Sequence, residues 1–340
     1  MKSDEDKPRP VTSVDVALKA GVSRSAVSRS FTPGASVAPE TRERVLKAAA
    51  ELGYRVNQLA RSLTNNRSAL VGIVAANMDN PFRVEQIEQI SRRLIAQNFR
   101  PILMPAEAAE DPSHVIGLLL EYSVSGVIVT SDTPPEAICQ ECISLGVPVV
   151  LVNKRGIDAP VDRVLMDNEN CGRLAAEALA QKGCRQLALI TSENPSYSLE
   201  IRQRSFLEMV GEFCQQPAMV FRGAFQNYEG GVQAMSELLT SARSFDGIFC
   251  VTDYMALGAL DQIRLGTERK VPEDLQVIGC DDIRQCSWQG YRLSTIRQDT
   301  AKLAEAVVEA LLNRFSSPNA PATTRILPVE LIERSTTRSQ

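Results

Sequence analysis

From Ala69 onward the chain alternates between short, wholly apolar runs and longer amphipathic stretches, and this alternation restricts it to very few folds. ALVGIVA at 69–75 leads into a helical pattern over 82–97, then RPILMP, then a helix over 112–122. GVIVTS from Gly126, a helix over 135–144 and VPVVLV from Val147 continue the series. Strands that are apolar on both faces belong in a sheet covered on both sides, and a strand that returns through a helix runs parallel to its predecessor. The pattern restarts after Asp167, with helices over 170–182, 200–212, 227–240 and 256–263. LALIT at 187–191, AMVF at 218–221, GIFCV from Gly247 and LQVIGCDD from Leu275 alternate with them. RLSTI, a helix over 299–314 and TRILPVEL end the chain, with SSPNAPAT at 316–323 as a surface loop. The expectation is two similar α/β lobes, with late segments that return to the first. A chain crossing between lobes more than once makes a hinge and a cleft, where small ligands bind and closure changes the lobe angle.

The first 55 residues have a different texture. VTSVDVALKAGVSRSAVSRSF, Val11 to Phe31, reads as two short helices around a tight turn. Val14, Ala17 and Leu18 lie at i, i+3 and i+4 and predict the apolar face of the first helix. Gly21 breaks it, and Ser23 starts the next helix as an N-cap. In that second helix Ala26 and Val27 supply small apolar contacts, while Arg24, Ser25, Ser28 and Arg29 supply polar surface. A third helix over 40–52 turns Val45, Ala48, Ala49 and Leu52 inward, and the unit is a helix-turn-helix headpiece. Residues 1–70 carry 12 Lys/Arg against 7 Asp/Glu, whereas the rest carries 25 against 34. The net charge of −4 therefore hides a basic end, suited to phosphates, on an acidic body.

Several function classes are excluded or disfavoured. No apolar run approaches the ~20 residues that span a bilayer. MKSDEDKPRP lacks the apolar core of a signal peptide and is expected to be a disordered lead-in, so the chain is expected in the cytoplasm, nucleoid-associated when on DNA, with no membrane partner. The eight cysteines include a CQEC pair at Cys139 and Cys142, but no second close pair completes a metal set, and His114 is the only histidine. No metal or cofactor is expected, and the thiols read as small buried hydrophobes. No dinucleotide fingerprint, nucleophile elbow or Walker sequence occurs, and the adjacent acids at 281 and 282 have no base–nucleophile partner set. An enzyme or two-lobed sugar receptor using the same body is the rival class, and the attached headpiece argues against it.

Between headpiece and body lies GYRVNQLARSLTNNRSALVGIV. Asn57 can cap a short helix in which Ala60 allows close approach of a second copy. Arg61 can reach a phosphate, and Leu63 can wedge between base steps in the minor groove. Alone the segment is too short to be stable. It reads equally as a linker or as a hinge helix that forms in pairs on DNA.

With these stretches in order, the sequence resembles the lactose-repressor and galactose-repressor family of bacterial transcription regulators from Val11 to about Glu333. The resemblance is carried by VALKAGVSRSAVSRSF, APETRERVLKAAAELGYRVNQLARSL, SALVGIV with DNPF at 79–82, VTDYMALGAL and VIGCDDI. It implies an N-terminal all-α helix-turn-helix headpiece at 11–56 plus a hinge helix or linker at 57–67. A two-lobed α/β periplasmic-binding-protein-like effector and dimerisation domain would follow at 68–335, its first lobe 68–166 with 297–326 and its second 167–296 with 327–335. It further implies a non-enzymatic homodimer, pseudo-palindromic operator DNA as partner and a small effector in the cleft, with repression as the family-weighted outcome.

Arg24 and Ser25 then resemble the family's main base readers, with Arg29 further along; arginine fits guanine O6 and N7. Thr12, Ser23, Ser28 and Asn57 suit backbone contacts or capping, and Leu63 matches the minor-groove lever. For the cleft, the resemblance marks the turn from Asn77 to Phe82, together with Asn153, Arg202, Asp253 and Asp281. An arginine with two acids suits hydroxyl-rich or anionic ligands, so a sugar, sugar acid or sugar phosphate is expected. Arg83, Lys154 and Arg155 near the cleft turns keep the anionic alternatives open. Tyr228 and Trp288 are candidates for stacking on a sugar face. The chain departs from the family at Val56, where proline is common, and at Ser205, where glycine is usual. The polar end RSTTRSQ, without a leucine heptad, fits a dimer.

Overall fold

The computed structural model describes residues 9, 11–32, 34–55, 68–106, 112–130, 135–241 and 243–339. The lead-in expected at 1–10, apart from Arg9, and the hinge expected at 57–67 lie outside the described residues. The chain divides into two compact units, residues 1–68 and 69–340.

In the first unit, α1 (Ser13–Ala20), α2 (Arg24–Ser30) and α3 (Pro39–Leu52) pack on one another. Thr12 and Asp15 form a capping box at the start of α1, satisfying amides that have no intrahelical partner. Gly21 ends α1 at φ 65°, a left-handed backbone that costs glycine nothing, and the chain turns into α2. The core is Val16, Ala17, Ala20, Val27, Val45, Ala48 and Ala49, flanked by Val22, Phe31, Leu52 and Tyr54. The apolar face expected for α1 is therefore corrected: Val14 is 42% exposed and Leu18 76% exposed, and Val16 and Ala20 take their places beside Ala17. Arg42 reaches back to the carbonyls of Ser30 and Ala35, at 2.8 and 3.0 Å, and fixes the end of α2 against α3.

The second unit contains two six-stranded sheets. The first has strand order β11-β5-β4-β3-β1-β2, all parallel. Its strands are β1 (Leu70–Ala75), β2 (Arg100–Pro105), β3 (Gly126–Val129), β4 (Val149–Val152), β5 (Asp162–Met166) and β11 (Thr324–Leu327). On one face lie α4 (Pro81–Ala96) and α11 (Thr300–Ser316), burying Ile87, Ile90, Leu94, Leu303, Val307 and Leu311. On the other lie α5 (Pro112–Glu121) and α6 (Pro135–Ser144), where Leu119, Cys139 and Cys142 join the core.

The second sheet has order β12-β10-β9-β8-β6-β7. It comprises β6 (Leu187–Ser192), β7 (Met219–Gly223), β8 (Gly247–Cys250), β9 (Gln276–Asp281), β10 (Ser294–Arg297) and β12 (Glu330–Ile332). All neighbours are parallel except the edge pair β10 and β12, with Thr295 opposite Ile332. The helices of this lobe are α7 (Asn168–Gln181), α8 (Tyr197–Phe213), α9 (Tyr228–Thr240) and α10 (Asp253–Gly266). They close one continuous core around Phe206, Phe249, Leu189 and Leu260. TRILPVEL supplies two strands in different sheets, so the chain crosses between lobes within Leu327 to Glu330. No helix among the described residues is long and apolar enough to cross a membrane.

Candidate functional site

Each unit carries one surface able to act. In the headpiece, α2 buries Ala26, Val27 and Ser30, so its 3.6-residue period leaves Arg24, Ser25, Ser28 and Arg29 on the opposite, exposed face. That face holds no carboxylate. The Arg24 guanidinium makes no hydrogen bond or ion pair to the described residues, while Arg29 Nε donates to the Ser25 carbonyl at 3.4 Å. Ser23 is the N-cap, its hydroxyl accepting from the Ala26 amide at 3.2 Å and lying 2.9 Å from the Ser25 hydroxyl. The Thr12 hydroxyl donates to Asp15 at 2.7 Å, and this bond, with Arg9 beyond it, holds the Asp15 carboxyl below its ordinary range. Ser23 and Thr12 therefore hold the helix starts in place. Asn57, Ala60, Arg61 and Leu63 lie outside the described residues.

In the second unit a cavity of about 500 Å³ opens where strands end. Ala76, Asn77, Asp79, Asn80 and Arg83 line it after β1; Ser192, Asn194 and Ser196 after β6; Ala224 to Asn227 after β7. Its volume lies within the roughly 300–1,000 Å³ of small-molecule sites. Asn77 stands at φ 53°, a conformation asparagine tolerates better than most residues. Asn80 caps α4 by accepting from the Phe82 amide at 3.0 Å. Phe82 does not line the cavity; its ring packs into the core of the second lobe and so joins the lobes. Asn153, at φ 53°, accepts from the Met166 amide at 2.8 Å through its side chain. Its carbonyl accepts from the Ser198 hydroxyl on α8 at 3.2 Å.

Arg202 lies on the inner face of α8 and is fully engaged. Its Nε donates to Asn168 at 2.9 Å, and its Nη1 donates to the Val251 carbonyl at 2.6 Å and to Asp281 at 3.1 Å. Asp281 and Asp282 end β9 at φ 134° and 59°, two consecutive residues in backbone regions that glycine usually occupies. The strain divides their roles. Asp281 faces Arg202 and the Gln298 amide, while Asp282 turns away to Arg297 and Arg334, at 2.7 and 2.6 Å. Burial pushes the Asp281 carboxyl up to about 7 against the opposing effect of Arg202.

Asp253 is wholly buried, accepting from the Thr295 hydroxyl at 2.6 Å and from the Ile283 amide at 3.0 Å. Burial pushes it up to about 6. It sits beneath the turn that carries Asp281 and braces it, in space that only Gly279 leaves open: a Cβ there would lie 2.1 Å from the Asp253 carboxylate.

The two expected stacking aromatics stand elsewhere. The Tyr228 hydroxyl donates to Asp261 at 2.8 Å, sharing that carboxylate with Tyr291 at 2.8 Å, and Tyr228 does not line the cavity. Trp288 is 51% exposed, at the end of a short 3₁₀ turn (Arg284–Ser287) outside the cavity lining. The aromatic that does line the cavity is Phe225, 67% exposed, two residues past the end of β7. Gln298, just past β10, is buried beside Asp281 with its carbonyl oxygen unbonded among the described residues. Both follow strand ends, the one signal in the sequence that marks them.

Two buried cations complete the site. Arg83 donates to the Ala76 carbonyl at 3.2 Å, and burial, with Arg202 adding to it, lowers its pKa to about 10 against Asp281 and Asp79. Lys154, one residue past Asn153, is lowered to about 7 by burial and by the charge of Arg83. No group of three or more His, Cys, Asp or Glu among the described residues can hold a metal ion. The thiols of Cys139 and Cys142 are pushed up to about 12 and about 11 by burial.

Comparisons with known proteins agree with this arrangement. Residues 13–57 match the model of bacterial regulatory proteins of the lacI family, and residues 176–337 match that of a periplasmic binding protein-like domain. The chain is 28% identical to the ribose operon repressor of Lactococcus lactis over 327 residues, covering 96% of this chain and 97% of the relative. It is 29% identical over 335 residues to the transcriptional repressor CytR of Escherichia coli, covering 96% of each. The lac repressor dimer bound to operator and the anti-inducer ONPF superposes with a TM-score of 0.86 at 28% identity, over 97% of this chain and 100% of that one. A capped helix-turn-helix that matches the lacI family model thus precedes a two-lobed α/β body, and over nearly its whole length the chain is similar to transcriptional repressors built in the same way.

Proposed function

We propose that the protein represses transcription by binding a pseudo-palindromic operator as a homodimer, and that a sugar or sugar derivative in the cleft controls this binding. The observation that carries the reading is the exposed face of α2, where Arg24, Ser25, Ser28 and Arg29 stand together opposite a buried apolar face. A helix so built lies in the major groove with its first residues at base edges, and Arg24 is free to fork onto guanine. The minor-groove role expected from the sequence for Asn57, Ala60, Arg61 and Leu63, which lie outside the described residues, belongs to the same proposal. The relatives are named for ribose operon repression and for an operator-bound dimer, which supports both a pentose-like ligand and a two-fold site.

Ligand control acts through the lobes. Arg155 pairs with Glu200 at 3.0 Å, and Ser198 bonds to Asn153, so the turn after β4 is tied to the start of α8. A ligand that prefers one lobe angle shifts the hinge equilibrium by its difference in affinity for the two states. Asn77 and Phe225 line the pocket, with Phe225 stacking on the ligand ring, while the buried bonds of Asn153, Arg202 and Asp281 hold the strand ends in place and Asp253 positions Asp281. The test is selection of bound sequences from a random duplex pool, with and without sugars, sugar acids and sugar phosphates. A near-palindrome whose enrichment changes with one compound is expected. No motif from folded, dimeric protein would overturn the reading.

A further inference from the structure

The sheet of the second lobe has two ends. Its strand ends face the cavity of about 500 Å³ described above; at its strand starts lies a second cavity, of about 790 Å³. The segment from α10 to β9 lines it with Arg264, Arg269, Lys270 and Glu273, and the segment before β10 with Tyr291 and Arg292. The lining holds four cations and one carboxylate. Asp261 offsets Arg264, at 3.2 Å. Arg269 donates to the Phe245 carbonyl at 3.3 Å and lies over the Phe245 ring, 4.3 Å from its centroid, contacts that position its charge without neutralising it. The side chains of Lys270 and Arg292 make no hydrogen bond or ion pair to the described residues. Three cations therefore face one carboxylate across a concave surface, and such a surface gathers ions of the opposite sign.

The wall is also held in place. Arg264 lies over the Tyr291 ring at 5.4 Å, and the Tyr291 hydroxyl donates to the same Asp261 at 2.8 Å. Arg292 stands at φ 46°, a left-handed backbone that glycine adopts without strain and arginine does not. Its amide donates to the Trp288 carbonyl at 2.9 Å, and its carbonyl accepts from the Ser335 amide at 2.8 Å, which fixes that conformation. An arginine thus occupies a position whose backbone favours glycine, and strain of this kind gathers at functional sites. We propose that this pocket binds a small polyanion bearing several phosphate or carboxylate groups, with Arg269, Lys270 and Arg292 as its charge contacts. The volume lies within the roughly 300–1,000 Å³ of small-molecule sites, and a guanidinium fork matches the paired oxygens of either group. The pocket shares no lining residue with the cleft, so the proposal does not depend on what the cleft binds.

Trp288, the chain's one tryptophan, stands half exposed between the lining residues Ser287 and Gln289, so its emission reports on this pocket. The test titrates the full chain with inorganic tripolyphosphate, and separately with citrate, at fixed ionic strength balanced by chloride. A saturable change in emission with at least one of them is expected, and which one responds separates phosphate from carboxylate recognition. Calorimetry on the same solutions detects binding that leaves the indole unperturbed. Lys270→Gln should weaken binding by about fivefold or more. Arg292→Gly should weaken it as much and melt no lower than wild type, because it relieves the left-handed backbone. Arg24→Ala should leave the affinity unchanged, which sets this pocket apart from the basic headpiece.

No saturable emission change and no binding heat with either probe would overturn the proposal. Wild-type affinity in Lys270→Gln or in Arg292→Gly would overturn it as well. Binding that Arg24→Ala weakens to the same degree would place the polyanion on the headpiece and so contradict the assignment to this pocket.

Discussion

At Lys154 an amine sits almost wholly out of water beside Arg83, and this sets a pH dependence that can be measured. Arg83 and Cys139 are charged or titratable groups that act on it. The folded-state pKa of about 7 lies below the ordinary 10.5. Below about 7 both states carry the proton and the burial penalty is fully present; from 7 towards 10.5 the folded state sheds it first and stability recovers. Asp281 and Asp253, raised to about 7 and about 6, work in the opposite sense, their contribution fading as pH rises above 3.8. Lys154→Met should therefore be more stable than wild type at about pH 6, with the gap shrinking by about pH 9. Denaturant melts at the two pH values check this; a gap that widens with pH would contradict the burial argument. Gly279→Ala places a methyl group into the Asp253 carboxylate and should cost at least ~2 kcal/mol of stability, together with the ligand response. Arg24→Ala should weaken operator binding by ~1–3 kcal/mol and relax preference at one base pair, read by repeating the sequence selection.

Among the elements, the headpiece depends on its caps because its helices are short. Ser23→Ala removes the capping bond to the Ala26 amide at the start of α2 and should destabilise the headpiece by ~1 kcal/mol, seen as a lower first transition in thermal unfolding. The elements differ in how plainly the sequence shows them. Strands such as β1, β6 and β9 are continuous apolar runs, and α7 to α10 follow regular stripes, so both are visible at once. β5 is not, because it opens on Asp162 and Arg163, whose charges are satisfied by Arg314 and Thr324 far along the chain. In α1, eight residues give two turns, too few for the period to separate Val14 and Leu18 from Val16 and Ala20. The resemblance singles out Arg202 and Asp281, and the structure pairs them with each other at 3.1 Å, buried and outside the lining of the cavity. The place of Phe225 in that lining, and the absence of Tyr228 from it, are not visible in the sequence, since the path of a loop past a strand end decides which aromatic faces the cavity.

For the molecule as a whole, charge is divided by task. A basic headpiece of 12 Lys/Arg against 7 Asp/Glu within residues 1–70 precedes an acidic remainder of 25 against 34. Binding to any duplex should therefore weaken steeply with salt, whereas the preference for one sequence depends on base contacts and should persist. The central claim is two-fold, sequence-specific recognition. Its most direct measurement is the affinity of the full chain for the selected near-palindrome against the same duplex with one half-site scrambled, at constant physiological salt. A preference of at least ~100-fold for the intact site is expected, because losing one half-site forfeits only part of the ~10³–10⁷ span of specific over non-specific binding. Equal affinity for the two duplexes, falling together as salt rises, would contradict it.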